Sequence, residues 1–441
     1  MFIKLALILL LFIAQVPAGH QVDGSVAPQS ADKEAVLFVK DAIKETVKNP
    51  NSSDAHFKLG LAYLKAGLNQ KAESSFRKAL SINSNHMDSL ILLAQIEIYK
   101  KDFDSAKKMI LKAKELSPND ARVYSVMGGL SLSQRNIDLA EENFEKAIKI
   151  DPVMSDVRFN LANIYETKGM FAEALKEYQK ISELEPANEE VQYKIAIMYL
   201  KVGQYNEAKK KLHDCLKMAA GNPLIYDTLG IIYGRENDQE KALKYFKEAI
   251  RVNQRFFPAQ EHIGDFYGTR KEYLKAIESY KRALEINPQL PVIHLKLGMV
   301  LESNGMYKEA IKEYEKIIEL DPKAGIAYNN LAYLFADKKM NLKKAIEFAK
   351  KAKELMPENP GVFDTLGWAY CQNKMYKEAI KNLELATQRM PKEAVVFYHL
   401  GVAYAGDGNN QKALKALNQS LLIDANFKDA KEARKLIKRL K

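Results

Sequence analysis

Side chains capable of chemistry are few in this sequence and poorly spaced for it. His213 and Cys215 offer the nitrogen and sulfur ligands of a zinc site, but a separation of two on a helix turns them to different faces. Glu261, His262 and Asp265 are better placed. Residues three and four apart share a helical face, so an imidazole there could exchange a proton with a carboxylate, or the group could hold a cation. A solvated polar face explains the same three residues equally well. The two cysteines, Cys215 and Cys371, are far apart and lack CxxC spacing, which argues against a disulfide framework and a structural zinc. No HExxH, GxSxG or phosphate loop occurs. The expectation is a chain with no catalytic residue, no metal and no cofactor.

The elements that would position such groups show why. Pro50, Pro118, Pro152, Pro186, Pro288, Pro322, Pro357 and Pro391 recur at multiples of 34, with one extra residue between Pro322 and Pro357. Two series of small residues keep the same beat. One runs Gly60, Ala94, Gly128, Ala162, Ala196, Gly230, Gly264, Gly298, Ala332, Gly367, Gly401, and the other runs from Ala72 through Ala242 to Ala413. The first series sits in segments of helical apolar spacing such as 224–235, where a small residue lets a neighbouring helix approach closely. The second lies in a following amphipathic segment such as 241–252, and the Asn, Asp and Gly between them supply a turn. Proline after the second helix cannot continue it. The period therefore predicts two helices per unit and an all-α chain.

This pattern resembles the tetratricopeptide repeat. In the unit at 257–290 the signature residues are Gln260, Ile263, Gly264, Tyr267, Ala276, Tyr280, Ala283 and Pro288; at 360–393 they are Phe363, Leu366, Gly367, Tyr370, Ala379, Leu383, Ala386 and Pro391. Glu97 and Ser131 depart from the usual aromatic. The resemblance implies a right-handed α-solenoid of helix hairpins. Its expected divisions are a signal peptide at 1–18, a leader at 19–31, an N-terminal capping helix at 32–52, eleven repeats over 53–427 and a C-terminal capping helix at 428–441. No segment is left over for a catalytic domain.

Composition fits an ordinary globular chain, 47% hydrophobic and 28% charged. Its net charge of +11 is dispersed through both signs, which does not nominate nucleic acid as a partner. The opening residues have one cation, Lys4, an apolar run from Leu5 to Ala14 and small residues at Ala18, the pattern of a cleaved export signal. Export to the periplasm or beyond is expected, with an uncleaved inner-membrane anchor as the alternative.

The resemblance also points to the second, fifth, ninth and twelfth positions of each unit as the lining of an inner groove. The last three units place Ile326, Asn329, Tyr333, Asp364, Trp368, Tyr398 and Val402 there, a stickier set than Asn163, Tyr193, Asp227, Asp265 and Met299 earlier in the chain. Asn160, Asn163, Asn329 and Asn330 carry both donor and acceptor for the backbone of an extended peptide. Trp368, the single tryptophan, either anchors a partner or packs on the next unit. No unit has Lys at its fifth position, so the clamp for chaperone carboxyl termini is not expected. The basic segment 428–441 could touch anionic lipid or polymer by charge.

Together these features suggest a non-catalytic scaffold that binds extended protein segments. The stretches at 328–335 and 363–370 resemble exported bacterial tetratricopeptide proteins of exopolysaccharide and surface-sorting systems, which would place the scaffold in envelope, secretion or surface-polysaccharide assembly. The alternative is a substrate-selecting or regulatory subunit of an envelope enzyme such as a glycosyltransferase.

Overall fold

The computed structural model of the protein describes residues 33–441, so the expected signal peptide and leader lie outside the described residues. Every regular element among the described residues is an α-helix, and none is long and apolar enough to cross a membrane. The chain divides at Ala220 and Gly221 into two compact units.

In the first unit α1 (Lys33–Lys48) is followed by five helix hairpins. They are α2 (Ser53–Lys65) with α3 (Asn69–Ile82), α4 (Met87–Tyr99) with α5 (Phe103–Leu116), α6 (Ala121–Ser133) with α7 (Ile137–Ile150), α8 (Ser155–Thr167) with α9 (Phe171–Leu184), and α10 (Glu189–Lys201) with α11 (Tyr205–Met218). The second unit has six hairpins and a last helix. These are α12 (Pro223–Arg235) with α13 (Gln239–Val252), α14 (Phe257–Thr269) with α15 (Tyr273–Ile286), α16 (Pro291–Ser303) with α17 (Tyr307–Leu320), α18 (Gly325–Asp337) with α19 (Leu342–Leu355), α20 (Pro360–Gln372) with α21 (Tyr376–Arg389), α22 (Ala394–Gly406) with α23 (Asn410–Ile423), and α24 (Ala430–Leu440). The extra residue seen in the period falls in the turn at 338–341, between α18 and α19.

Each hairpin turns on one left-handed residue at the same place. In the first unit these are Gly67, Lys101, Arg135, Gly169 and Gly203; in the second, Asn237, Lys271, Gly305, Lys339, Lys374 and Gly408. The next amide then satisfies a carbonyl near the end of the first helix, as Met170 does to Tyr165 at 2.8 Å and Met375 to Tyr370 at 2.9 Å. Side chains cap the following helices, Asn341 accepting from the Lys344 amide and Asn409 from that of Lys412.

The small residues of the first helices are wedge points. A Cβ added at Gly298 would stand 2.5 Å from Cε1 of Tyr314, and one at Gly60 would stand 2.3 Å from Cε1 of Phe76. Each glycine thus admits a ring from the second helix of its own hairpin, and burying that ring contributes roughly 1.5–3 kcal/mol. The alanine series, Ala72 and Ala106 through Ala345 and Ala379, is fully buried where the two helices meet. The two departures from the aromatic pattern stay satisfied in other ways. Buried Glu97 accepts a hydrogen bond from Arg77, and the Ser131 hydroxyl donates to the Met127 carbonyl at 2.9 Å.

Candidate functional site

The more extensive contacts between helices that are not chain neighbours all join first helices: α4 with α6 in the first unit, and α18 with α20 and α20 with α22 in the second. First helices therefore stack on one side of each unit, and that side carries the residues singled out in the sequence.

On α18, α20 and α22 the structure gathers Tyr333, Asp364, Trp368 and Tyr398 around a residue the sequence reading missed, His399. This imidazole is 1% exposed, and its Nδ1 lies 2.8 Å from the Asp364 carboxylate. The Trp368 indole stacks on it at 4.0 Å between centroids and 18° between planes, with the rings of Tyr398 at 5.9 Å and Tyr333 at 6.4 Å. Of the two roles open to Trp368, packing accounts for its side chain: it is 6% exposed and built into the wall between α20 and α22. Its indole nitrogen nevertheless has no hydrogen-bond partner, and neither has Oδ1 of Asn329. Tyr333, Tyr398, Asn329 and Val402 are half-buried, and Ile326 stands out at 40% exposure. Burial raises the phenol pKa values of Tyr333 and Tyr398, the latter to about 12, so both remain neutral donors.

The His399–Asp364 contact belongs to a recurring device. His262 Nδ1 sits 2.8 Å from Asp227, and Lys296 Nζ donates to Glu261 at 2.6 Å and to Asp265 at 2.7 Å. In each case the sixth position of one hairpin reaches back to the fifth position of the hairpin before it, a strut between adjacent first helices. Glu261, His262 and Asp265, for which a solvated polar face is the simpler reading of the sequence, instead bond across to neighbouring hairpins. His262 turns to Asp227, whereas Asp265 accepts from Lys296 and from the Tyr280 hydroxyl at 2.7 Å. Burial alone would lower the His262 pKa, but its hydrogen bond to Asp227 and the charges of Asp227, Glu261 and Asp265 raise it. The signal was present in the sequence as two Asp-to-His spacings of 35, Asp227 to His262 and Asp364 to His399.

Asn160 and Asn163 lie half-buried on α8 in the first unit, and Oδ1 of Asn163 already accepts from the Tyr178 hydroxyl at 2.9 Å. Among the described residues no three His, Cys, Asp or Glu side chains come together as metal ligands. A cleft of about 350 Å³ opens elsewhere, between α13, α14 and α15, lined by Lys247, Tyr267, Glu278 and Arg282. Both thiols are buried, and burial pushes the Cys371 thiol up to about 12.

Tetratricopeptide-repeat family models match residues 63–130 and 131–198 in the first unit, and 224–256, 291–324 and 394–427 in the second, and a TPR-repeat model matches 264–305. The chain is a tetratricopeptide-repeat protein. As such it is a protein-interaction scaffold, on a fold that is typically non-catalytic. Among solved structures, the tetratricopeptide chain is similar to the APC/C hetero-tetramer Cut9–Hcn1, at 18% identity over 93% of this chain and 96% of that one, with a TM-score of 0.46. It is also similar to a tetratricopeptide repeat protein from Parabacteroides merdae, at 18% identity over 57% and 98% of the two chains with a TM-score of 0.45. A third likeness is to YrrB, described as a TPR protein with an unusual peptide-binding site, at 25% identity over 43% and 97% with a TM-score of 0.35. No curated protein matches the chain in sequence.

Proposed function

We propose that the chain holds an extended segment of a protein partner along the first helices of its second unit, from α18 to α22. The observation that carries this reading is the run of partly exposed residues along those helices, Ile326 at 40% exposure with the half-buried Tyr333, Tyr398 and Val402. An extended peptide backbone can bond to the neutral phenols of Tyr333 and Tyr398, and the aromatic rings offer contact area at small entropic cost.

The export pattern of the opening residues supports a setting outside the cytoplasm, with the scaffold serving envelope, secretion or surface-polysaccharide assembly. The exposed cations of α24 support a second, weaker contact with an anionic lipid or polymer, one that added salt abolishes.

The test is a photo-reactive amino acid placed in the full chain at Tyr333, at Tyr398 and, as control, at Leu422 on α23, which is 79% exposed. In cells of the source organism the first two positions should capture a common partner that Leu422 does not. Capture of one and the same set from all three positions, or from Leu422 alone, refutes the assignment.

A further inference from the structure

One charged contact on the inner side of the second unit is unlike the struts. Lys428, just ahead of α24, places its ammonium 3.3 Å from Oδ2 of Asp337 on α18, a residue 91 positions earlier. The same ammonium lies 5.7 Å from the ring centroid of Tyr333. A carboxylate and an aromatic face are the two surfaces that attract an ammonium most strongly. Glu302, on α16, extends the acidic surroundings: the Tyr314 hydroxyl donates to it at 3.1 Å, and it feels the charges of both Lys428 and Asp337.

The grip on Lys428 is loose. Lys296, a strut, is held by two carboxylates and its side chain is 30% exposed, whereas Lys428 touches one oxygen and is 56% exposed. Asp337 itself is only 15% exposed and keeps a second cation, Lys338, at 2.8 Å. Take Lys428 away, and Asp337 keeps one cation, Lys338, while the acidic side chains of Glu302 and Asp429 around Tyr333 lose a nearby positive charge. The carboxylate is thus held in place by Lys338, while Lys428 makes the longer contact and is the more exposed of its two cations.

We propose that this pocket is a subsite for a lysine side chain of the bound partner segment, and that Lys428 fills it in the free protein and is displaced on binding. The proposal rests on the groove reading above and specifies its chemistry: the segment carries a lysine where it passes α18. The charge fits, because an acidic side chain brought there would meet Asp337 and Glu302. Tyr333, Asp337 and Tyr398 belong to the same set of first helices, so one extended segment laid along them passes the Asp337 carboxylate and the half-buried phenols together.

Trp368 is the only tryptophan, so its emission reports on this face without a label. The full chain is titrated with an acetylated, amidated pentapeptide, Gly-Ser-Lys-Ser-Gly, and with its counterpart bearing norleucine in place of lysine. Lys428→Ala should bind the lysine peptide roughly two- to fivefold more tightly than the unaltered chain does, the size set by an exposed ion pair. The norleucine peptide should bind both chains alike, Lys428→Arg should behave as the unaltered chain, and Asp337→Asn should remove the preference for lysine. Thermal midpoints of the variants show whether each is folded. Equal binding of the two peptides by Lys428→Ala, or binding of neither, overturns the subsite. If the crosslinks from Tyr333 and Tyr398 persist in that event, the groove reading survives and only the lysine pocket falls.

Discussion

Asp364→Ala is the substitution that tests the inner wall most directly. His399 is 1% exposed and Asp364 9%, so deleting the carboxylate leaves the Nδ1 proton of a buried ring with no acceptor. An orphaned buried donor costs about 1–3 kcal/mol. The stack of Trp368 on His399, worth about 0.5–1.5 kcal/mol, is retained or loosened, which sets the expected loss near 2 kcal/mol. Asp364→Asn keeps an accepting oxygen in place and should lose less than half of that. Urea denaturation followed by Trp368 emission reads the effect at the residue concerned. With a slope of about 1–3 kcal/mol/M, the midpoint for Asp364→Ala should fall by about 1 M. Hairpin arrays unfold through nearest-neighbour terms, so the reactivity of Cys215 in the first unit should change little. A midpoint unaltered in Asp364→Ala would mean that the strut contributes nothing and that the wall is held by apolar packing alone, and the same loss in Asp364→Asn would mean that the charge of the carboxylate, not an accepting oxygen, carries it.

Further outcomes follow from the same structure. Gly298→Ala puts a methyl 2.5 Å from the Tyr314 ring, and overpacking of about 1–3 kcal/mol outweighs the helix propensity gained, so its thermal midpoint should fall. Lys374→Gly relieves a left-handed lysine at φ 61° and should raise stability by about 0.5–1 kcal/mol in a denaturant titration. His262 has a raised pKa in the folded chain, so its contribution is complete below the unfolded value and is lost as pH rises through the folded one. Stability measured across that window should decline, and in Asp227→Asn the decline should flatten. Cys371, with its thiol pushed to about 12, should resist maleimide in the native chain and react only as the second unit opens.

Most of the architecture was legible because a 34-residue period leaves little freedom: a glycine in the first helix and an aromatic or leucine in the second can meet in only one way. The stacking of first helix on first helix was legible for the same reason. What the period could not settle was the exposure of particular side chains. Trp368 stands at a groove position, yet the neighbour that covers it is His399, and whether a wall residue is covered depends on the size and charge of the residue six places into the next hairpin. The pairing of Asp227 with His262, across hairpins and not along one helix, was hidden by comparing residues only within a single helix. The Lys428–Asp337 contact joins the segment ahead of α24 to the end of α18, 91 residues earlier, and no comparison of one repeat with the next contains that information.

The fit of glycine against ring has an evolutionary corollary. Because Gly298 receives Tyr314, and Gly367 receives Leu383, the steric match lies wholly inside one hairpin. A mutation that enlarges the small partner can be offset by shrinking the large one sixteen residues on, with no change elsewhere. Each pair of helices is therefore a transferable cassette. An array of this kind can lengthen, shorten or exchange members by recombination while its inner wall alone is reshaped for a new client.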